Sequence, residues 1–231
     1  AVDTYGNPTA SGVAEVMSVV RPGTESHKVV AIASSREYGL ELGDHQTVQP
    51  QPFSLVGDGA GSVFKIFTAA AAMERGMGTN TVLPVPQRVQ VSGMGVGGAA
   101  GCPANMYCVQ NAGSYPGALP VPDALAQSPN TTFINLIKDV GVAPTVDMAV
   151  RLGLRSYDRK GTAADGDSIS GYVKKNNMGS FTLGPTALNS LELSNVGATL
   201  ASGGVWCPAS PIESITDRTG KPVELNEPEC E

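Results

Sequence analysis

The stretch DGAGSVFKIFTAAAAMERG, residues 58–76, constrains this chain more than any other. Glycines at 57, 59 and 61 free the backbone to turn just before it. Residues 62–75 then run without Gly or Pro, with four consecutive alanines at 69–72, and Gly76 supplies a helix stop. Val63, Phe64, Ile66, Phe67 and the alanines are apolar on nearly every side, which predicts a buried central helix over 62–75 rather than a surface one. Ser62 and Lys65 are the polar exceptions near its start. At i and i+3 they share a face, so hydroxyl and amine can meet beside the positive end of the helix dipole.

Ser62 and Lys65 form the chain's only S-x-x-K. By itself such a pair also fits a serine at a helix start and a lysine snorkelling to solvent. A second element removes the isolation: Ser128-Pro129-Asn130 is the only Ser-x-Asn, set in ALAQSPNTTFINL between two predicted helices at 123–127 and 131–140. Alone, that tripeptide is equally an ordinary turn or helix cap.

The chain has 231 residues, 41% of them apolar, enough for one substantial globular domain and too few for two. A net charge of -6 and the lack of any basic run argue against nucleic-acid binding. No stretch of 18 apolar residues is present. Cys102, Cys108, Cys207 and Cys230 lack zinc-site spacing and allow three disulfide pairings. Cys102 with Cys108 and Cys207 with Cys230 is the favoured set, because each pair brackets a short Pro-containing stretch. Disulfides would place the chain outside the cytoplasm, and free buried cysteines are the alternative.

Residues 1–12 read as a linker and 13–231 as the domain. Runs at 13–20 and 28–33 around Arg21-Pro22-Gly23-Thr24 read as a β-hairpin, followed by a polar surface connection to residue 55. A strand is expected at 88–91. Gly93-x-Gly95-x-x-Gly98 has the letters of a dinucleotide loop, but cysteines and prolines follow it instead of a helix, so it reads as a loop. Further helices are expected at 144–152 and, from a capping box of Asn189 and Glu192, up to about Ser202. Residues 155–178 read as a polar loop. Residues 211–216 and 222–225 flank a hairpin turn at Asp217 to Gly220.

Ser62-x-x-Lys65 followed by Ser128-x-Asn130 resembles the pattern of penicillin-binding proteins and serine β-lactamases. The segment SFTLGPTALNSLELSNVGATLASGGV, 180–205, resembles the transpeptidase domain of class A, bifunctional members, and the cysteines and the wording around Ser62 resemble actinobacterial ones. The resemblance spans nearly everything after Val13. It departs at Ala60-Gly61, where Pro-Gly is usual, and at Ile66, where Pro is usual. It also lacks the third motif: no Lys-Thr-Gly or His-Thr-Gly occurs, and Lys160-Gly161-Thr162 has the letters in another order.

The resemblance implies an α/β (α+β) fold, an antiparallel sheet flanked by helices with a helical subdomain carrying the active-site helix. The missing motif implies that this chain is the N-terminal part of the domain, its sheet incomplete, and that a complementary C-terminal polypeptide carries Lys-Thr-Gly. It further implies a D,D-transpeptidase of peptidoglycan cross-linking on the extracytoplasmic face of the cell membrane, tethered only through an N-terminal anchor outside this sequence. Its partners would be D-Ala-D-Ala stem peptides and β-lactam antibiotics. Ser62 would be the nucleophile and contribute an oxyanion-hole N–H, Lys65 the base, Ser128 the proton relay and Asn130 a substrate-binding side chain. No metal or organic cofactor is required. A serine β-lactamase, and a non-catalytic β-lactam sensor or scaffold, are the alternative expectations. A Ser-His-Asp hydrolase is disfavoured, because G-x-S-x-G is absent and only His27 and His45 could serve.

Overall fold

The computed structural model describes residues 14–57, 59–224 and 226–231. The expected linker, Val13, Asp58 and Leu225 lie outside the described residues. The chain divides into two compact units, one of residues 1–56, 151–156 and 188–231, the other of 57–150 and 157–187.

In the first unit, β1 (Val16–Arg21) and β2 (His27–Ser34) form the expected antiparallel hairpin. The register shifts between Val19 and Val20, a bulge that increases the local twist. A two-residue strand, Ala209–Ser210, runs parallel to the start of β2 beside the antiparallel β1–β2 pair. The helix Ser190–Ala201 packs on β1. Asn189 caps it as expected, its side-chain oxygen accepting from Leu191 N and Glu192 N. The Glu192 carboxylate accepts from the backbone N–H and hydroxyl of Ser156, a long-range tie that the capping-box reading did not contain. Buried His27 lies against Asn195, with Nδ1 2.7 Å from Oδ1, and Asn195 donates to Cys207 O. Cys207 and Cys230 are disulfide-bonded. The C-terminal hairpin pairs Ile215–Thr216 with Pro222–Val223 across the expected turn.

The second unit holds the helices. The expected central helix has two parts: a 3-10 turn, Gly61–Phe64, and then α1 (Lys65–Glu74). Tightening of the first turn into 3-10 geometry is common at helix starts, and here it puts Ser62 on the turn and Lys65 at the first α-helical position. Gly76, at φ +97°, ends α1: its N–H reaches Met73 O and that of Met77 reaches Ala72 O, the double closure of a left-handed C-cap. The junction of the turn with α1 seats in an aromatic cluster, Phe64 lying 5.2 Å from Phe67, 5.3 Å from Phe181 and 6.3 Å from Tyr157 between ring centroids.

Two small sheets occupy 82–120. β3 (Val82–Pro84) pairs with β7 (Ala118–Pro120), and β4 (Arg88–Ser92) with β6 (Met106–Gln110), which also takes β5 (Gly97–Gly98). Of these only β4 is expected from sequence: β3, β5 and β7 are two or three residues long and carry Pro or Gly, while β6, as long as β4 and free of both, is missed inside its Gly/Pro-rich surroundings. The Gly93-to-Gly98 stretch is a loop entering β5, and the Cys102–Cys108 disulfide closes the segment leading into β6.

Three helices follow: α2 (Val121–Gln127), α3 (Asn130–Val140) and α4 (Val142–Leu152). α2 and α4 begin two residues before their expected starts, since Pro122 and Pro144 are tolerated in a first turn, where no intrahelical N–H partner is lost. The expected polar loop at 155–178 is a correction. It contains a 3-10 turn, Arg155–Asp158, and a helix α5 (Ile169–Lys175). α5 starts where Ser168 Oγ accepts from Gly171 N, and its seven residues with an internal glycine give too little periodic signal to read. A further 3-10 turn, Gly179–Leu183, is closed by Gly184 at φ +66°.

Candidate active site

Ser62, Lys65, Ser128 and Asn130 converge in the second unit, brought together by the turn before α1, α1 itself and the junction of α2 with α3. The Lys65 side chain is central: its residue is 1% exposed, and Nζ donates toward Ser62 Oγ at 3.0 Å and toward Ser128 O, Ser128 Oγ and Asn130 Oδ1 at 2.7 Å each. Nζ also lies 5.5 Å from the Phe133 ring centroid. Burial pulls the Lys65 ammonium down from 10.5 to about 8.

Four oxygens surround a nitrogen that carries at most three protons. The Ser128 carbonyl and the Asn130 amide oxygen can only accept, so they claim two. The remaining position faces two hydroxyls, which can receive a proton from the ammonium or give one to the neutral amine. The same heavy-atom frame therefore holds both protonation states, as a group that takes up and returns a proton requires.

Ser128 meets Lys65 through two oxygens because its backbone is left-handed, φ 60° and ψ 43°. Its N–H closes α2 on Ala124 O, and Pro129 then turns the chain into α3. Left-handed backbone is uncommon for a serine, and such strain persists where surrounding structure holds it. Both 2.7 Å contacts to Lys65 do so here.

The turn carrying Ser62 is backed by glycine. Gly61 N donates to Gly184 O at 3.2 Å. A Cβ on Gly184 would stand 2.2 Å from Gly61 O, and one on Gly59 would stand 2.0 Å from Gly184 O. One turn further along α1, the buried hydroxyls of Thr68 and Thr182 bond at 2.7 Å. The sequence reading did not connect Gly184, Thr182, Phe133 or the Ser128 carbonyl with this site. A Leu-Gly inside the 180–205 segment was visible, but nothing local says which backbone it touches. Ser62 itself is exposed, leaving its hydroxyl accessible.

Among the described residues, no cluster of three or more His, Cys, Asp or Glu could hold a metal ion, and no helix is long and apolar enough to cross a membrane.

The penicillin binding protein transpeptidase domain family model matches residues 25–230. Penicillin-binding protein 1A of Neisseria meningitidis is 26% identical over 161 residues, 70% of this chain and 17% of that protein. Penicillin-binding protein 1A of Aquifex aeolicus is 30% identical over 108 residues, 47% of this chain and 12% of that protein. Among solved structures, the penicillin G acyl-enzyme complex of penicillin-binding protein A from Mycobacterium tuberculosis superimposes with a TM-score of 0.72 at 19% identity, covering 98% of this chain and 54% of that one. PonA1 from the same organism gives 0.65 at 19% identity, covering 92% and 48%. The chain thus spans a minor part of these relatives and about half of these structures.

Proposed function

Because the chain belongs to the penicillin-binding protein transpeptidase domain family, we propose that it carries the acyl-serine half of a D,D-transpeptidase site that cross-links peptidoglycan and that β-lactams block. The observation that carries this reading is the Lys65 amine, buried and held 3.0 Å from the Ser62 hydroxyl by three other oxygens.

A serine hydroxyl is a weak nucleophile until a base takes its proton. Neutral Lys65 accepts that proton as Ser62 Oγ bonds to the carbonyl carbon between the two terminal D-alanines. The carbonyl π pair moves to oxygen, where backbone N–H groups, that of Ser62 among them, stabilise the charge. When the pair returns, the C–N bond breaks and the departing amine takes the Ser128 hydroxyl proton, which Lys65 replaces. Asn130 orients Lys65 and the substrate amide. An amine of a second stem peptide then bonds to the acyl carbon, the Ser62 Oγ–C bond breaks, and the proton that amine loses returns through Ser128 and Lys65 to Ser62 Oγ.

Cell-envelope location follows the same reading. The Lys65 cluster supplies the nucleophile and its base, and without the segment that carries Lys-Thr-Gly this chain alone is expected to be inactive. The Lys-Thr-Gly motif is not in this sequence, and we assign it to a further polypeptide segment that completes the sheet of the first unit. Supporting this, Val30 and Ile32 of β2 are 53% and 39% exposed, and among the described residues β2 is paired on that side only at His27 and Lys28.

The test is intact-mass spectrometry of the full-length protein after treatment with penicillin. One added penicillin mass, persisting for many minutes and mapping to the Ser62 peptide, is the expected result. Rapid loss of the adduct with turnover would favour a β-lactamase, and absence of any adduct would sink the acyl-serine reading.

A further inference from the structure

α3 begins with Asn130, whose side chain holds Lys65, yet its N-cap is Pro129, and no side chain caps the helix from that position. The first N–H groups of a helix have no partner within it. For α3 the partner comes from elsewhere in the chain: Asn111, just past the end of β6. Asn111 Oδ1 accepts from Thr131 N at 3.1 Å, and Asn111 Nδ2 donates to Thr131 Oγ1 at 2.9 Å and to Pro86 O at 3.1 Å. Thr131 Oγ1 donates in turn to Pro86 O at 2.6 Å, closing a ring.

Asn111 is itself fixed. It is 4% exposed, its N–H donates to Gln87 O at 3.1 Å, and its carbonyl accepts from Gln87 Nε2 at 3.2 Å. The ring therefore ties the first turn of α3 to the rigid pairing of β4 with β6. One peptide bond separates capped Thr131 from Asn130, so a shift of the cap displaces the amide oxygen that Lys65 relies on.

We propose that Asn111 is a positioning residue for acylation, acting through Asn130 on the Lys65 amine. This rests on the acyl-serine reading above. Asn111 touches neither reacting atom, and its effect enters through the geometry of the base. Small displacements of a catalytic group carry large rate penalties.

The experiment is a double-mutant cycle in the full-length protein, Asn111→Ala with Asn130→Ala, reading the rate constant for acylation by a fluorescent penicillin separately from its non-covalent binding. The expected result for Asn111→Ala is a roughly tenfold slower acylation step, with binding much less affected. In the Asn130→Ala background the same substitution should change the rate by less than about twofold, because residues acting through one another are not additive. Thr131→Val, which keeps the capped N–H and removes the bridging hydroxyl, should slow acylation in the same direction and is a second route should Asn111→Ala fail to fold. Equal rate factors in both backgrounds would overturn the proposal. So would a lower melting temperature with wild-type acylation in either Asn111→Ala or Thr131→Val. Wild-type protein taking no label at all would overturn the acyl-serine reading instead, and with it this extension.

Discussion

Lys65→Met should slow acylation of Ser62 by roughly 10²–10⁴-fold, the range expected when a positioned general base is lost. Methionine fills much of the same volume without a nitrogen, so binding of the β-lactam should fall far less than the chemical step. Lys65→Arg sharpens the test. It keeps a cation beside Ser62, Ser128 and Asn130, but a guanidinium does not give up its proton in a protein. If Lys65 worked only as a fixed positive charge, arginine would restore much of the rate; the base reading expects it to be nearly as slow as methionine. Stopped-flow or quench measurement of fluorescent penicillin uptake checks both variants.

The same residue sets a pH dependence whose sign can be worked out. If Lys65 is the base, as proposed, acylation needs the neutral amine, and the rate should rise with pH along a limb centred near 8, where burial has brought Lys65. Stability moves the same way by linkage. The unfolded lysine titrates near 10.5 and the folded one near 8, so between these values the unfolded state binds more protons, and stability attributable to this group rises as pH goes up. In Lys65→Met that contribution should vanish from a denaturation series between pH 8 and 10.5. A wild-type rate flat from pH 6.5 to 9.5 would contradict the assignment.

How much of this could be read from the sequence depends on whether a contact is local. Ser62 and Lys65 are three residues apart at the start of an apolar run, so helical spacing alone predicts their meeting, and the structure changes only the kind of turn that carries the serine. Ser128 and Asn130 are recognisable as a motif, but their approach to Lys65 is a tertiary event that only the resemblance supplied. The left-handed Ser128 backbone, which presents a carbonyl as well as a hydroxyl, has no local signature, and the proline that follows it favours extended backbone instead. Asn111 is less legible still. A residue capping a helix from the end of a distant strand leaves no periodic pattern in either element. Short strands such as Gly97–Gly98 and the seven-residue helix after Ser168 escape for a related reason: pairing partners and a single cap define them, and their own propensities are weak.

Gly184→Ala should be strongly damaging although the residue offers no functional group to the chemistry. Its φ of +66° is unfavourable for any residue with a Cβ, at about 1–2 kcal/mol. Gly161→Ala, at φ +80° with open space around the added carbon, isolates that penalty and should lower stability by a similar amount while acylating normally. Gly184 differs in what the methyl meets. At 2.2 Å from Gly61 O, the new carbon cannot be accommodated by rotating a side chain, because the obstacle is the backbone one residue before Ser62. Either that turn or the Gly179–Leu183 turn has to retreat by about an ångström, disturbing the Gly61–Gly184 hydrogen bond and the seat of Phe181 against Phe64. A displacement of that size at the nucleophile corresponds to roughly a 10²-fold loss of acylation rate on top of the stability loss shared with Gly161→Ala. Rates measured well below the melting temperature of each variant separate the two effects. Equal acylation by Gly184→Ala and Gly161→Ala would mean that the glycine packing shapes the fold without setting the position of Ser62.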